Sequence, residues 1–192
     1  MDAKVNMISR NYKFEIAIND LTDFWFNFSK WDKSDINEHI AMMHRYADQC
    51  EHVTEFGVRT GVSTWAWLAS RAKTIRCYDI ENVIHNLEHH IQSAKDTRKD
   101  FNFTAADTVA DLFEIEQTDL LFIDTDHTYK QCSKELKKHA NKVNKYLIFH
   151  DTVNCGSELM PAINEFLKDN PNWIIKEKVW ENNGLMVLEK QQ

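Results

Sequence analysis

Short apolar runs alternate with helix-forming stretches along most of the chain. Five runs are rich in β-branched and aromatic side chains, at residues 53–56, 74–80, 101–107, 118–124 and 145–149. Leu120 to Ile123 is apolar at every position, which is typical of a strand buried on both faces of a parallel sheet. Five such repeats of strand and helix predict right-handed crossovers and a doubly wound α/β fold with helices on both faces of the sheet.

The end of the chain departs from this rhythm. Residues 173–180 and 185–188 form two further strand-like segments, joined only by Glu181-Asn182-Asn183-Gly184. A short link that contains Asn-Gly predicts a β-hairpin. We therefore expect a Rossmann-like sheet of seven strands, mostly parallel, that finishes in an antiparallel C-terminal hairpin.

The first 50 residues precede these repeats. Residues 1–33 contain an aromatic cluster: Phe24, Trp25, Phe26, Phe28 and Trp31. The cluster is expected to pack on the core as a lid, and the alternative is a part of a substrate pocket or a subunit contact. Ser34 resembles a helix N-cap before an apolar helical stripe that reaches Cys50. The 192 residues thus predict an N-terminal segment, 1–33, that packs on a single domain, 34–192.

Composition limits the function classes. A net charge of -7 disfavours nucleic acid as a partner, because proteins that bind its backbone are usually basic. The four cysteines lack the spacing of a zinc site and are expected to be free thiols in a reducing compartment. No stretch approaches the roughly 18 apolar residues of a membrane span, and no apolar leader is present, so we expect a cytoplasmic protein.

A glycine turn follows the first run. The chain has only 4 glycines, and Gly57 and Gly61 lie between the strand Val53–Phe56 and a predicted helix from Trp65 to Ala72. Glycine permits positive φ, and its missing Cβ lets a ligand lie against the backbone. The N–H groups of the following helix favour an anionic group. The spacing Glu55-x-Gly57-x-x-x-Gly61 departs from the G-x-G-x-x-G of dinucleotide-binding proteins.

Acids end the successive predicted strands. Asp79, Asp107, Asp124 and Asp151 occupy these positions, as Glu55 does in the first strand. Ligands of open α/β sheets bind beyond the carboxyl ends of the strands, and an acid about 20 residues after a glycine loop often accepts bonds from ribose hydroxyls. Asp79 has that spacing, whereas Asp107 is equally well explained as the N-cap of a helix over 109–115.

Five of the 9 histidines fall into two groups by their position along the chain. His85, His89 and His90 lie in a predicted helix from Val83 to Lys95 and, without a partner at ligand spacing, are expected on a solvated face. His127 and His150 follow the fourth and fifth strands and are candidate proton acceptors, because histidine titrates in the useful range. The alternative for His127 is a residue at a helix N-terminus with a structural hydrogen bond.

From Ser34 onward the chain resembles the class I S-adenosylmethionine-dependent methyltransferases. Glu55, Gly57 and Gly61 are similar to motif I, which surrounds the methionine part of the cofactor. The resemblance implies that Asp79 binds the ribose and that Asp107 contacts the adenine.

Within that class, Asp124-x-Asp126-His127 and His150-Asp151 resemble the small-molecule O-methyltransferases similar to the macrocin and cephalosporin-pathway enzymes. The resemblance implies a divalent cation between Asp124 and Asp151. Two carboxylates favour Mg²⁺ completed by waters, whereas a histidine ligand favours Mn²⁺, Fe²⁺ or Zn²⁺. The chain departs from the pattern at Thr125, at Val143-Asn144-Lys145 in place of a glycine pair, and at His150 in place of a carboxylate.

The predicted reaction is attack of a small-molecule or glycan hydroxyl on the sulfonium methyl group. Asp124, His127 and His150 are the candidate catalytic residues, and the base is either a histidine or a metal-activated hydroxyl. Little sequence remains to build an acceptor pocket, so a partner subunit in a homo-oligomer or the N-terminal segment is expected to complete it. The alternatives are a non-catalytic interaction protein and, opposed by the glycine spacing and the hairpin, a nicotinamide-dependent oxidoreductase.

Overall fold

The computed structural model describes residues 21–191 and the backbone of residues 4–9 and 12–17. The strands are β1 (Lys4–Ser9), β2 (Tyr12–Ala17), β3 (His52–Phe56), β4 (Thr74–Asp79), β5 (Asp100–Ala105), β6 (Thr118–Ile123), β7 (Val143–His150), β8 (Trp173–Val179) and β9 (Leu185–Lys190). The helices are α1 (Leu21–Trp31), α2 (Ile40–Ala47), α3 (Thr64–Ala69), α4 (Glu88–Asp96), α5 (Tyr129–His139) and α6 (Gly156–Asp169), with 3₁₀ turns at Asn37–His39, Ile84–Asn86 and Ala140–Lys142.

Seven strands form one sheet in the order β5-β4-β3-β6-β7-β9-β8. The first five strands of that order pair in parallel, whereas β9 runs antiparallel to both β7 and β8. The predicted mostly parallel sheet with an antiparallel C-terminal hairpin is confirmed. The strand order reverses between β3 and β6, and the carboxyl ends of such strands open a crevice for ligands.

Helices cover both faces of this sheet and enclose two apolar clusters. On one face, Ile40 of α2 and Trp67 of α3 pack against β3 and β4. On the other face, Leu136 of α5 and Ile163 of α6 pack against β6 and β7. Residues Leu120–Ile123 of β6 are buried throughout, as the apolar run predicted. Within the described residues, no helix is both long and apolar enough to cross a membrane.

The N-terminal segment adds elements that the pattern did not predict. β1 and β2 pair with each other in an antiparallel sheet, with Lys4 opposite Ala17. Residues 1–3, 10–11 and 18–20 of the predicted segment 1–33 lie outside the described residues. In α1, the Trp25 ring stacks on Trp65 with centroids 5.8 Å apart, whereas Trp31 is 88% exposed. The aromatic cluster therefore has a packed side and an open side, and the domain boundary stays a prediction.

Two helix predictions need correction. The helix expected over 109–115 is absent, because residues 106–117 form turns and irregular backbone. Asp107 Oδ1 accepts a bond from the N–H of Val109 (2.9 Å), which closes a turn where a helix would start. The predicted solvated face is wrong for His90, which is only 3% exposed. His90 stacks on Trp65 with centroids 4.0 Å apart, so α4 packs on α3 through this ring.

Candidate functional site

The glycine loop between β3 and α3 bends through left-handed backbone. Gly57 has a φ of 83° and Gly61 a φ of 76°, which side chains with a Cβ rarely adopt. A Cβ on Gly57 would lie 1.9 Å from the backbone oxygen of Asp124, and one on Gly61 would lie 2.7 Å from the His90 ring. The Cβ side of Gly57 is thus filled by the backbone of Asp124, directly after β6, while Gly57 itself still lines the cavity described below.

Asp79, at the end of β4, holds this loop. Its Oδ2 accepts bonds from the N–H groups of Val58 (2.8 Å) and Arg59 (2.9 Å), and its Oδ1 accepts one from the N–H of Glu81 (2.9 Å). A carboxylate offers about four lone-pair sites. Beyond the three bonds that hold the loop, one acceptor site of Asp79 remains.

Glu55 lies beneath the loop and is fully buried. Its carboxylate accepts bonds from the hydroxyls of Ser63 and Thr64, at the start of α3, and from the thiol of Cys77 (3.2 Å). Burial raises the pKa of Glu55, and the hydroxyl bonds oppose that rise. The structure therefore places this predicted site residue under the loop, where it positions α3, and outside the cavity that the loop borders.

A cavity of about 630 Å³ lies over the carboxyl ends of the strands. This volume is typical of small-molecule and cofactor sites, which span roughly 300–1,000 Å³. The predicted site residues in its lining are Gly57, Asp79, Asp107, Asp124, His127 and Asp151. Gly61 and His150 lie behind the lining, in contact with residues that form it. A separate groove of about 470 Å³ between α5 and α6 contains none of the predicted residues in the described part of the chain.

Several lining residues were missed by sequence reasoning. Ile80 follows Asp79 and is 76% exposed at the cavity. Asp35, Thr108 and Gln131 also line it. An isoleucine directly after a strand-end acid was an available signal, because an exposed apolar side chain beside a pocket suits the face of a planar ligand. The other three gave no signal, since their positions depend on how loops and α5 fold back.

Two aspartates and two histidines meet at the β6 and β7 end of the cavity. His127 Nε2 lies 3.1 Å from Asp124 Oδ1 and 3.0 Å from Asp151 Oδ2. His150 Nδ1 lies 3.2 Å from each of the same two oxygens. The predicted residues Asp124, His127, His150 and Asp151 are therefore brought together, with imidazole and carboxylate groups alternating.

The charges and hydrogen bonds within this cluster shift the pKa values of its members. Burial tends to raise the pKa of Asp124, but hydrogen bonds with His127 and His150 lower it to about 2. Burial likewise tends to lower the pKa of His150, but bonds with Asp124 and Asp151 raise it to about 10. The bond with Asp124 also raises the pKa of His127. The cluster therefore favours ionised carboxylates beside a positive charge.

The orientation of His150 follows from its second nitrogen. Its Nε2 lies 3.0 Å from the backbone oxygen of Asp35, which can only accept, so Nε2 carries a hydrogen. Nδ1 then faces two carboxylate oxygens that also only accept. A proton or a metal cation must therefore lie between Nδ1 and the carboxylates.

The segment after α1 and the turn between β8 and β9 brace this end of the site. Asn182 Nδ2 donates to the backbone oxygen of Ser34 (3.3 Å), and His39 Nε2 donates to the backbone oxygen of Asn182 (2.9 Å). The His39 ring meets the His150 ring with centroids 5.7 Å apart. Residues 34–36 thereby become part of the cavity wall.

The segment that carries this site matches a known protein family. A family profile described as a methyltransferase domain matches residues 54–152, which is just over half of the chain. A search of curated proteins gives no match.

Solved structures share the fold at low identity. The S-adenosylhomocysteine-bound methyltransferase PaMTH1 of Podospora anserina has a TM-score of 0.61 at 13% identity, over 91% of this chain and 89% of that chain. A methyltransferase from Geobacter sulfurreducens has a TM-score of 0.64 at 14% identity, over 90% and 88%. A Klebsiella pneumoniae protein assigned as an O-methyltransferase has a TM-score of 0.59 at 15% identity, over 90% of both chains.

The family profile spans the segment from β3 through Thr152, which carries the glycine loop, Asp79, Asp107 and all four cluster residues. The sheet order and the cavity at its switch point agree with the shared fold. The chain belongs to the methyltransferase-domain family.

Proposed function

We propose that the protein is an S-adenosylmethionine-dependent O-methyltransferase that acts on a hydroxyl of a small molecule, such as a sugar. The main support for this proposal is a cavity with two chemically different ends. Asp79 and Asp107 bound one end, and the other end holds the cluster of Asp124, His127, His150 and Asp151. A nucleoside site and a proton-accepting site are thereby joined in one cavity. PaMTH1, which shares the fold, was solved with S-adenosylhomocysteine.

The cavity fits the cofactor in volume and in chemistry. Asp79 keeps an acceptor site for a ribose hydroxyl, and Ile80 offers an apolar surface for a base. Asp107 uses Oδ1 for its own turn, which leaves Oδ2 for an amino group of the adenine. When bound, S-adenosylmethionine supplies an electrophilic methyl group, and the protein contributes binding, orientation and proton removal.

His127 is the residue best placed to remove the hydroxyl proton. It is about one-third exposed, whereas His150 is buried and its Nε2 is bonded to the Asp35 backbone. With the His127 Nε2–H donated to the carboxylates, its Nδ1 is the atom left to accept a proton, as in other histidine bases oriented by an aspartate. His150 then serves to hold both carboxylates.

The same cluster fits a divalent cation. Asp124, His127 and Asp151 each offer one ligand atom within 4.8 Å of the others. Ligands at about 2.1 Å in octahedral geometry lie about 3.0 Å apart, and His127 Nε2 lies 3.1 Å from Asp124 Oδ1 and 3.0 Å from Asp151 Oδ2. A bound cation would lower the pKa of a coordinated hydroxyl. The imidazole nitrogen shifts the expectation from Mg²⁺ toward Mn²⁺, Fe²⁺ or Zn²⁺.

Calorimetric titration with S-adenosylmethionine and with NAD tests the cofactor assignment. We expect binding of the first and none of the second. Asp79→Ala should weaken binding about tenfold to a hundredfold, because it removes the ribose acceptor and three bonds that hold the loop. Glu88→Ala, on an exposed turn of α4, is the matched control and should bind as the wild type does. Binding of NAD alone, or unchanged affinity in a folded Asp79→Ala variant, would sink the assignment.

A further inference from the structure

The buried face of α5 carries two polar side chains one helical turn apart. Glu135 and His139 are both 0% exposed. Glu135 Oε1 accepts bonds from Thr108 Oγ1 (2.6 Å) and Gln131 Nε2 (3.0 Å), and its Oε2 accepts one from Thr125 Oγ1 (3.0 Å). His139 Nε2 donates to the backbone oxygen of Thr108 (2.8 Å). Thr108 is therefore held at both its hydroxyl and its carbonyl.

The groups that Glu135 holds come from three separate parts of the cavity wall. Thr108 follows β5, Thr125 follows β6, and Gln131 lies in the first turn of α5, and all three line the cavity. Glu135 and His139 do not belong to that lining within the described residues. Glu135 and His139 can therefore affect a ligand only by positioning the residues that line the cavity.

Stability alone does not account for a glutamate here. Burying a carboxylate is costly, and a leucine of similar length would fill the space without that cost. No ion pair of Glu135 with a lysine or arginine exists among the residues that the structure describes. Glu135 instead accepts bonds from Thr108 in the loop after β5 and from Thr125 in the loop after β6, and so ties these two loops together.

We propose that Glu135 and His139 are positioning residues that together form a clamp on the adenine-side wall of the cavity. Glu135 holds the loops after β5 and β6 together, and His139 holds the Thr108 carbonyl. This inference rests on the proposed function, since it assumes that a nucleoside occupies the cavity. The loop after β5 contains no helix, and Thr108 within it is bonded to both Glu135 and His139. Loss of the clamp should weaken nucleoside binding.

Two Glu135 variants separate positioning from packing. Glu135→Leu removes all three acceptor contacts and should raise the Kd for S-adenosylhomocysteine and for adenosine about tenfold, measured by calorimetry. Glu135→Gln can still accept from Thr108 and Gln131 through its oxygen and donate to Thr125 through its nitrogen. This variant should stay within about threefold of the wild type.

Leu136→Ala is the matched control, because Leu136 is the adjacent buried residue of α5 and packs in the apolar cluster. This control should lower Tm without a comparable change in Kd. An unchanged Kd in folded Glu135→Leu, or an equal rise in Leu136→Ala, would overturn the inference. Failure of the wild type to bind S-adenosylhomocysteine would instead refute the proposed function.

A second variant covers the case in which Glu135→Leu does not fold. His139→Phe removes only the bond to the Thr108 carbonyl, and its ring fits between Phe56 and Phe113, which already contact His139. We expect a rise in Kd for adenosine of about threefold or more. A folded His139→Phe variant with wild-type affinity would overturn the clamp.

Discussion

The close contact between the glycine loop and the backbone after β6 depends on a single residue, Gly57. The sequence treats Gly57 and Gly61 alike, but only Gly57 lies against a backbone, at the Asp124 carbonyl, whereas Gly61 faces the side chain of His90. A side chain can move aside at lower cost than a backbone. Because Asp124 also carries a carboxylate of the cluster with His127, His150 and Asp151, Gly57 connects the glycine loop to that cluster.

Gly57→Ala should therefore destabilise the protein and distort the cluster. Positive φ and overlap with the Asp124 carbonyl together should cost about 2–4 kcal/mol in the free energy of unfolding, measured by urea titration. Gly156→Ala is the control, because its Cβ would meet nothing closer than 3.9 Å and it lies in α6. That substitution should be neutral or stabilising. Equal stability of the two variants would show that the loop geometry at Gly57 is wrong.

At the scale of elements, α4 is attached to the glycine loop by a buried histidine. His90 Nε2 donates to the Gly61 carbonyl at 2.8 Å, and burial lowers the pKa of His90 to about 4. The prediction that His90 lies on a solvated face was wrong, because the sequence of a short polar helix does not show whether that helix packs against another element. The ring contact with Trp65 depends on how α3 and α4 are oriented.

This histidine makes α4 sensitive to acid. The pKa of His90 is lower in the folded state than its usual value of 6.5, so the unfolded chain takes up the proton first and stability falls as pH drops from 6.5 toward 4. Between pH 7 and pH 5 the loss should be about 2 kcal/mol. His150, whose pKa is raised to about 10, acts in the opposite direction over this range and offsets part of this loss.

A comparison with His90→Gln isolates the contribution of His90. Glutamine can keep a donor to Gly61 and does not titrate, so urea unfolding should show a smaller loss of stability between pH 7 and pH 5 in this variant. A loss equal to that of the wild type would contradict a buried neutral His90.

The element pattern shows where sequence reasoning succeeds. Continuous apolar runs, such as Leu120 to Ile123, predicted the strands correctly, because a strand buried on both faces of a sheet is apolar at nearly every position. The helix predicted over 109–115 is wrong, because Asp107 can cap a helix or close a turn with the same bond to Val109. The choice depends on Thr108, which α5 holds from 27 residues away in sequence.

At the scale of the whole molecule, the sheet brings the candidate site together. Asp124 and Asp151 lie far apart in sequence and meet because β6 and β7 are neighbours. Their position at strand ends was readable from the sequence, since parallel strands share one carboxyl edge. The contacts of both histidines with the same two oxygens were not readable, because they depend on side-chain directions and on the segment 34–39 that holds His150.

The mixed cluster leads to a prediction about metal dependence. Mn²⁺ or Zn²⁺ held by Asp124, Asp151 and His127 should raise the Tm of the protein, because binding to the folded state at about a hundredfold above Kd adds about 2.7 kcal/mol. The metal competes with protons on His127, whose pKa is raised by Asp124. The rise in Tm should therefore be larger at pH 8 than at pH 6.

Asp151→Asn should abolish this rise in Tm, and Asp111→Asn, on an exposed turn away from the cluster, should retain it. Once an acceptor is known, excess chelator should remove activity, and added Mn²⁺ should restore it. Full activity in chelator, together with its loss in His127→Ala, would eliminate the metal and leave His127 as the base. In that outcome the positive charge that the carboxylates require resides on His150, whose pKa is raised to about 10, and His127 stays neutral until its Nδ1 takes up the hydroxyl proton. Both imidazoles already lie within 3.2 Å of both oxygens.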